Sequence, residues 1–270
     1  MKVLAFLMLQ TVLFPQQEDI SLEVIKGETP QPWAFIAPHE NENIANQYVA
    51  EKIKKHGGTF VILQQFGNRL IQLEVEGNKV MVDPNRIFTA KGRSDTLQKL
   101  NAELMSNPSV YEAAINKTES LADFIFNTMG TQAADIWIAI HNNTNGYDND
   151  GKNGRGTISI KRYQKKLDAG VNYLIKVHDA DIDEDDLFFL TDPKDFVHTS
   201  KAKWNVVLQN PKVATDPSED DGSLSVLAEM QGKRYINIEA ERSDDGFGED
   251  HLEQQKAMVD LIFSILTTEE

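Results

Sequence analysis

The sequence predicts an α/β protein whose largely parallel sheet is covered by helices on both faces. Apolar runs of strand length alternate with helical patterns along the chain, which is typical of this class. Residues 136–140 (IWIAI) are almost wholly apolar, as expected for a strand buried on both faces. The 270 residues, 40% of them hydrophobic, are enough to form a continuous core.

The first half of the chain supplies three predicted strands or hairpins around one helix. Residues 33–37 predict the first strand, and residues 43–55 predict a helix that stops at the glycine pair 57–58. Residues 60–64 predict a second strand. Residues 69–82 predict a hairpin that turns at Glu76-Gly77-Asn78.

The middle of the chain predicts two helices followed by a central strand. The helices are expected at residues 94–105 and 109–129, and the second carries its apolar residues on one side. The apolar run 136–140 then delivers His141 at the carboxyl end of its strand.

The last third predicts further strands and a closing amphipathic helix. The strands are expected at residues 157–161, 173–177, 204–208 and 235–239, and the helix at residues 251–266. Neither an internal repeat nor a dividing linker is visible, so residues 18–270 are expected to form a single domain.

The composition excludes several classes of partner and site. The net charge is −15, so nucleic acid and anionic membranes would be repelled, and a small molecule or a peptide is the expected partner. The chain has no cysteine, which excludes disulfides, thiolate metal sites and cysteine nucleophiles. Nothing in the sequence indicates an oligomeric state.

The amino terminus predicts a secretory signal peptide over residues 1–17. One lysine precedes an apolar run of about twelve residues, which is too short to span a bilayer as a mature helix. A periplasmic or secreted location follows from this prediction. The alternative is a buried first strand or helix, because no clear small-x-small cleavage site follows the run.

Polar residues that could support chemistry follow the predicted strands. Ligands of open α/β sheets bind at the carboxyl ends of strands, where His39, Glu42, His141 and Glu239 are expected, and residues 83–86 form a fourth group. Two imidazoles and a carboxylate are a common three-ligand set for catalytic zinc. Taken singly, each residue also has a structural interpretation as a loop, turn or surface ion-pair residue.

Four short motifs together resemble those of the zinc carboxypeptidases. They are HENE (39–42), DPNRIF (83–88), IHNNT (140–144) and INIEAE (236–241). Their order and approximate spacing are similar to those of the aspartoacylase and succinylglutamate desuccinylase branch of that family.

The resemblance implies a zinc carboxypeptidase-like three-layer α/β/α fold around a mixed, mostly parallel sheet. It implies that Zn²⁺ is bound by His39, Glu42 and His141. It further implies that a substrate carboxylate is bound by Asn85 and Arg86, with Asn142 as an additional substrate-binding residue. Glu239 is the implied catalytic general base, and Arg86 is the implied catalytic residue that orients the substrate.

This sequence departs from the family pattern at several positions. Glu40 replaces a small residue, and Pro84 replaces a leucine. The long interval between His141 and Glu239 indicates an insertion, within about residues 145–233, that would rebuild the substrate pocket. Glu241 is an alternative base, because residues two apart in a strand face the same side.

The expected function is zinc-dependent hydrolysis of an amide bond next to a free carboxylate. Zinc lowers the pKa of its water towards about 7, and a nearby unliganded carboxylate can accept the proton. With export, the sequence favours a carboxypeptidase or amidase, including one that acts on cell-wall peptides. The alternatives are a deacylase of N-acylated amino acids and a non-catalytic module that binds peptide or glycan ends.

Two acidic stretches are further candidates for cation sites. Residues 148–153 begin like a calcium loop, but Lys152 stands where an oxygen ligand belongs. Residues 179–186 contain six acidic residues and are interpreted as a solvated loop.

Overall fold

The fold is built on one large mixed sheet. The computed structural model describes residues 8–147, 154–243 and 248–268. Nine strands form the sheet, in the order β1-β2-β4-β3-β7-β11-β9-β10-β8, and β5 and β6 form a separate hairpin. The strands of the first half are β1 (Met8–Phe14), β2 (Gln17–Lys26), β3 (Trp33–Ala37), β4 (Thr59–Gln64), β5 (Ile71–Val75) and β6 (Asn78–Val82). Those of the second half are β7 (Ile136–Thr144), β8 (Leu174–His178), β9 (Leu187–Leu190), β10 (Asn205–Gln209) and β11 (Arg234–Arg242).

Helices connect most of these strands. They are α1 (Asn46–His56), α2 (Ala90–Leu100), α3 (Pro108–Met129), α4 (Ile160–Asp168), α5 (Pro193–Lys201), α6 (Leu224–Gln231) and α7 (Leu252–Thr268). No helix in the described ranges combines the length and the apolar character needed to cross a bilayer.

The centre of the sheet is parallel and its margins are mixed. Strands β4, β3, β7 and β11 are parallel neighbours, whereas β2 joins β4, and β9 joins β11, in antiparallel orientation. The predicted fold class, a three-layer α/β/α arrangement around a mixed sheet, is confirmed. The parallel part of the sheet is the part that positions the polar residues discussed below.

Side-chain alternation along the central strand separates two cores. In β7, Trp137 and Ala139 belong to the core covered by α2, α3 and α6, and Ile138 and Ile140 belong to the core covered by α1, α5 and α7. All four are at most 1% exposed. Because side chains alternate in a strand, His141 continues the first face and Asn142 the second.

Most of the predicted elements are found within a few residues of their expected bounds. The exception is the strand predicted at residues 157–161, which was wrong. Ser159 instead caps α4, where its hydroxyl accepts a hydrogen bond from the backbone N–H of Lys161. The β-branched residues before this cap imitate a strand, but Ile160 is buried as the first residue of a helix.

The amino-terminal segment is placed in the sheet over its described part. Strand β1 is an edge strand that pairs antiparallel with β2, and Phe14 is 1% exposed. Residues 8–14 of the predicted signal peptide thus form strand β1. Residues 1–7 lie outside the described residues, so export remains a prediction.

Candidate metal centre and substrate cavity

His39 and Glu42 lie in the turn that follows β3. The backbone N–H of Glu42 donates to the carbonyl of His39, with N and O 3.0 Å apart, which closes the turn before α1 begins. Both side chains are buried, at 0% and 3% exposure. The Nδ1 atom of His39 lies 3.1 Å from Oε2 of Glu42.

His141 reaches the same carboxylate from the central strand. Its Nδ1 atom lies 2.8 Å from Oε2 of Glu42, and the rings of His39 and His141 have centroids 5.1 Å apart. One ligand atom from each of the three residues lies within 4.8 Å of the other two. We call His39, Glu42 and His141 the metal cluster.

The donors of the metal cluster fit a zinc ion. Around a tetrahedral zinc with bonds of about 2.0–2.1 Å, neighbouring ligand atoms are about 3.3 Å apart. The two separations above are somewhat shorter, at 3.1 and 2.8 Å. Nδ1 of His39 is buried and has no hydrogen-bond partner among the described residues. A buried nitrogen that points at a carboxylate and a second imidazole, without a hydrogen bond, suits a metal ligand.

Asp83 holds the other nitrogen of His39. Nε2 of His39 donates to Oδ1 of Asp83 over 3.0 Å, and the same oxygen accepts from the backbone N–H of Asn85 at 2.9 Å. Asp83 thereby caps the short 3-10 helix Pro84–Arg86 and orients the imidazole at once. A carboxylate behind a histidine is the usual support of a zinc ligand.

Arg69 belongs to this site and was missed by the sequence analysis. Its Nη1 atom contacts Oε1 of Glu42, and its Nη2 atom lies 3.6 Å from Oδ2 of Asp83. Arg69 lies in the loop between β4 and β5, although the sequence predicts it at the start of a hairpin strand. No local pattern distinguishes it from a surface arginine, so only the three-dimensional position reveals its role.

The charges of these residues are strongly coupled. Burial alone would lower the pKa of His39, but the carboxylates of Glu42 and Asp83 outweigh burial and raise it. Burial opposes ionisation of Glu42, yet the two imidazoles hold its pKa well below the usual range. The pKa of Asp83 is lowered as well, because the hydrogen bond and charge of His39 outweigh burial.

A cavity of about 410 Å³ adjoins the metal cluster. Its lining includes Asn85, Arg86 and Glu239, and Nδ2 of Asn85 lies 3.5 Å from Nε2 of His141. Most of the remaining lining lies between residues 157 and 226, within the predicted insertion. Helix α4 contributes two cationic side chains to the cavity, Arg162 and Lys166.

The guanidinium of Arg86 is available at the cavity. Its side chain is 38% exposed, and its Nη1 atom donates to the carbonyl of Asn85 at 2.9 Å. The same atom lies 3.6 Å from the exposed carboxylate of Asp221. An exposed pair at that distance is weak, so a substrate carboxylate can compete with Asp221 for the guanidinium.

Glu239 lies beside the metal cluster without being part of it. In the parallel ladder its backbone is paired with that of His141. Its Oε1 accepts from Nδ2 of Asn237 at 3.0 Å, and its Oε2 from Nδ2 of Asn143 at 3.4 Å. Burial raises the pKa of Glu239, the charge of His141 opposes this, and that of Glu42 adds to it.

Glu241 occupies a different environment from Glu239. Its Oε1 accepts from the backbone N–H of Glu249 and its Oε2 from Nδ2 of Asn145, both at 2.8 Å. Glu239 lines the cavity that contains Arg86, and Glu241 does not. Geometry therefore favours Glu239 of the two candidate bases.

Asn142 lies on the opposite face of β7 from the metal cluster. Its Nδ2 donates to Oε1 of Gln255 at 3.0 Å and lies 3.3 Å from the carbonyl of Ala240, and its Oδ1 accepts from the N–H of Ile44. Its side chain is thus committed to protein groups. Side-chain alternation along β7 explains this placement. The placement does not support the predicted role of Asn142 in substrate binding.

Only one of the two acidic stretches lies among the described residues. Residues 148–153, considered as a calcium loop, lie outside the described residues. In the stretch 179–186, Asp185 and Asp186 are each 1% exposed. The interpretation of this stretch as a solvated loop was therefore wrong for its last two residues, which directly precede the strand β9.

No family model and no curated protein matches the chain by sequence. Among solved structures, the chain is similar to the tripeptide-bound cell shape determinant protein Csd4 of Helicobacter pylori, with 13% identity and a TM-score of 0.44 over 92% of this chain and 55% of that one. It is also similar to bovine thrombin-activatable fibrinolysis inhibitor in complex with tick carboxypeptidase inhibitor. That alignment has 13% identity and a TM-score of 0.46, and it covers 97% of this chain and 92% of the other. The chain thus spans about half the length of the first protein.

Proposed function

We propose that this protein is a zinc-dependent hydrolase that cleaves an amide bond next to a free carboxylate. The observation that supports the proposal is the convergence of His39, Glu42 and His141. They lie beside a cavity lined by Glu239 and Arg86, to which Asn85 connects them. Two imidazoles and one carboxylate form a three-ligand set that leaves a position open at zinc. When bound, zinc supplies Lewis acidity and makes hydroxide available at neutral pH.

Glu239 is the general base in this proposal. It is buried, lies beside His141 along the ladder, and is outside the ligand set. A carboxylate in this position can accept a proton during attack on the amide and return it to the leaving amine. The amides of Asn237 and Asn143 keep the carboxylate in place through the two contacts described above.

Arg86 and Asn85 orient the substrate. A guanidinium binds a carboxylate through two parallel hydrogen bonds, which fixes the plane of the group. Asn85 bridges this position and the metal cluster, since it lines the cavity and reaches to 3.5 Å from Nε2 of His141. A substrate held by Arg86 would therefore present its adjacent amide towards the metal cluster.

Arg69 supplies positive charge on the opposite side of Glu42. Its contacts with Glu42 and Asp83 place the guanidinium against the ligands and outside the ligand set. In hydrolysis of an amide the carbonyl oxygen gains negative charge, and a fixed cation stabilises it. Arg69 is 47% exposed, so solvent and a substrate can reach its guanidinium.

The proposal extends to an exported enzyme that acts on peptides, including cell-wall peptides. Export follows from residues 1–17 alone and is tested by sequencing the amino terminus of the protein purified from its native cells. A deacylase of N-acylated amino acids is the alternative, and it would use the same residues. A panel of peptides and N-acyl amino acids, each with a free carboxylate, distinguishes the two substrates.

The catalytic assignment is tested with the Glu239→Gln variant. We expect it to bind zinc as the wild type does and to lose a hundred- to ten-thousand-fold in kcat, the usual contribution of a general base. The matched control is Glu253→Gln on α7, whose side chain is 80% exposed and distant from the cluster in sequence. Full activity in Glu239→Gln would remove the assignment. Zinc binding without turnover on any substrate of the panel would support a non-catalytic binding module instead.

A further inference from the structure

A second group of side chains that could bind a metal ion includes Glu241, near the end of β11. Asp183, Glu241 and His251 each offer a ligand atom within 4.8 Å of the other two. We call these three residues the second cluster. They come from the loop before β9, from β11 and from the residue before α7, and Glu241 is buried while Asp183 is exposed. The second cluster shares no residue with the metal cluster.

A buried oxygen without a hydrogen-bond partner in the described part of the chain lies on Asp185, close in the chain to Asp183 of the second cluster. Asp185 is 1% exposed, and its Oδ1 atom has no hydrogen-bond partner among the described residues. Its other oxygen contacts the backbone N–H of Gly146. Asp185 lines the same cavity as Asp183. Burial raises the pKa of Asp185, and the negative charges of Asp183 and Glu241 raise it further. A buried carboxylate oxygen without a donor normally requires a cation or a proton.

His251 is oriented as a ligand would be. Its Nδ1 donates to Oδ2 of Asp186 over 2.9 Å, and Oδ1 of Asp186 accepts from the backbone N–H of Glu241 at 3.1 Å. This bond engages Nδ1 of His251, so Nε2 is the ring nitrogen that remains for a metal ion. Asp186 supports His251 as Asp83 supports His39, and this arrangement of carboxylate behind histidine is typical of metal sites.

We propose that Asp183, Glu241 and His251, with Asp185 beside them, bind a second divalent transition-metal ion. One imidazole among carboxylates favours Zn²⁺ or Mn²⁺ over Ca²⁺, which prefers oxygen ligands alone. The ion would join the loop before β9 to β11 and to the start of α7. Its role is structural, because the contacts of this site are with loops and strand ends rather than with the cavity that holds Arg86.

The test counts zinc ions bound by the full chain. The protein is stripped with a chelator, shown by circular dichroism to be folded, and titrated with ZnCl₂ by calorimetry, with the bound metal measured by mass spectrometry. We expect two ions for the wild type and one for His39→Ala, which retains only the second cluster. His251→Gln keeps a donor for Asp186 but is a poor ligand, and it should bind one ion.

The Asp183→Asn variant tests the same site a second time, so that a folding defect in His251→Gln does not decide the result. The backbone N–H of Asp185 donates to Oδ1 of Asp183, and the asparagine oxygen can replace this acceptor. We expect this variant to weaken the second ion at least tenfold, with Asp181→Asn, from the same acidic stretch, as the unchanged control. In His39→Ala, zinc should also raise the melting temperature.

The outcomes separate this proposal from the proposed function. If the wild type binds one ion, and His251→Gln and Asp183→Asn bind it as tightly, the second site does not exist. If one ion is bound, is kept by His39→Ala and is lost by His251→Gln, the second site stands and the catalytic zinc is wrong. A response to CaCl₂ that exceeds the response to ZnCl₂ in His39→Ala would overturn the class of ion.

Discussion

His39 and Asp83 are joined by a hydrogen bond of 3.0 Å between Nε2 and Oδ1, although 44 residues separate them in the chain. Asp83 accepts the proton of Nε2, so Nδ1 is the ring nitrogen that faces Glu42. The carboxylate is itself fixed by the backbone N–H of Asn85. Asp83 therefore determines how well His39 can serve as a ligand.

The Asp83→Asn substitution is expected to weaken zinc binding. An asparagine oxygen can still accept both hydrogen bonds, but it carries no charge to support the imidazole. Loss of such a supporting carboxylate costs about 10- to 100-fold in metal affinity. Competition with a chelator of known affinity measures the change, with Asp123→Asn on the exposed side of α3 as the control. Equal affinities for Asp83→Asn and the wild type would contradict the role given to Asp83.

Much of this site could be predicted because its residues follow recognisable strands. The runs 33–37 and 136–140 are apolar enough to identify buried parallel strands, and neighbouring parallel strands bring their carboxyl ends together. His39, Glu42 and His141 accordingly converge as expected. Asp83, from the fourth group of polar residues, caps a turn and accepts a hydrogen bond from His39 without joining the three.

Other features depend on tertiary contacts that no local pattern encodes. Arg69 is a surface-like residue by sequence, and its contact with Glu42 arises only because the β5–β6 hairpin packs beside the turn after β3. Asp185 and Asp186 look like part of a solvated acidic run. They are buried because β9 inserts between β11 and β10, which draws the residues before β9 into the sheet edge.

The placement of Asn142 on the other face of β7 could have been predicted from the sequence. It follows His141 directly in a strand, so the two side chains must face opposite sides. A motif comparison treats adjacent residues as one group, whereas the pleat of the strand separates them. The contact of Asn142 with Gln255 on α7 is the result of that separation.

The Arg86→Lys substitution is expected to reduce the preference for substrates with a free carboxylate. Lysine keeps the charge but cannot form the paired hydrogen bonds of a guanidinium, and a charge-assisted hydrogen bond contributes about 1.5–3 kcal/mol. We expect kcat/KM to fall about 10- to 100-fold for a peptide with a free carboxylate and much less for its amidated form. The ratio of the two rates is the measurement. Arg93→Lys is the control, because Arg93 pairs with Glu119 and is not part of the cavity lining. A ratio equal to that of the wild type would exclude Arg86 from carboxylate binding.

The Glu229→Gln substitution is expected to stabilise the protein at neutral pH. Burial raises the pKa of Glu229 above its usual 4.5, and its Oε1 has no hydrogen-bond partner among the described residues. The folded state therefore binds this proton more tightly than the unfolded state, so stability is lost as pH rises through and above 4.5. Glutamine removes that loss, and we expect a gain of about 1 kcal/mol at pH 7, since an unsatisfied buried group costs about 1–3 kcal/mol.

The pH dependence is what identifies this effect. Denaturant unfolding of the wild type and Glu229→Gln at pH 4 and pH 7 should show equal stability at the lower pH and divergence at the higher one. Glu112→Gln on an exposed position of α3 should change the free energy of unfolding by less than about 0.5 kcal/mol at both. A constant difference between wild type and Glu229→Gln at the two pH values would show that charge is not the cause.

The Ile138→Ala substitution is expected to destabilise the fold while leaving every ligand in place. Ile138 is 0% exposed in the core between the sheet and the helices α1, α5 and α7. Removing its side chain leaves a cavity between layers, and such changes cost about 2–5 kcal/mol. Ile175→Ala in β8 is the matched control, because that side chain is 48% exposed and should change stability by less than about 0.5 kcal/mol. Urea unfolding of both variants measures the costs, and similar values for the two would mean that the central strand β7 is not packed between two layers.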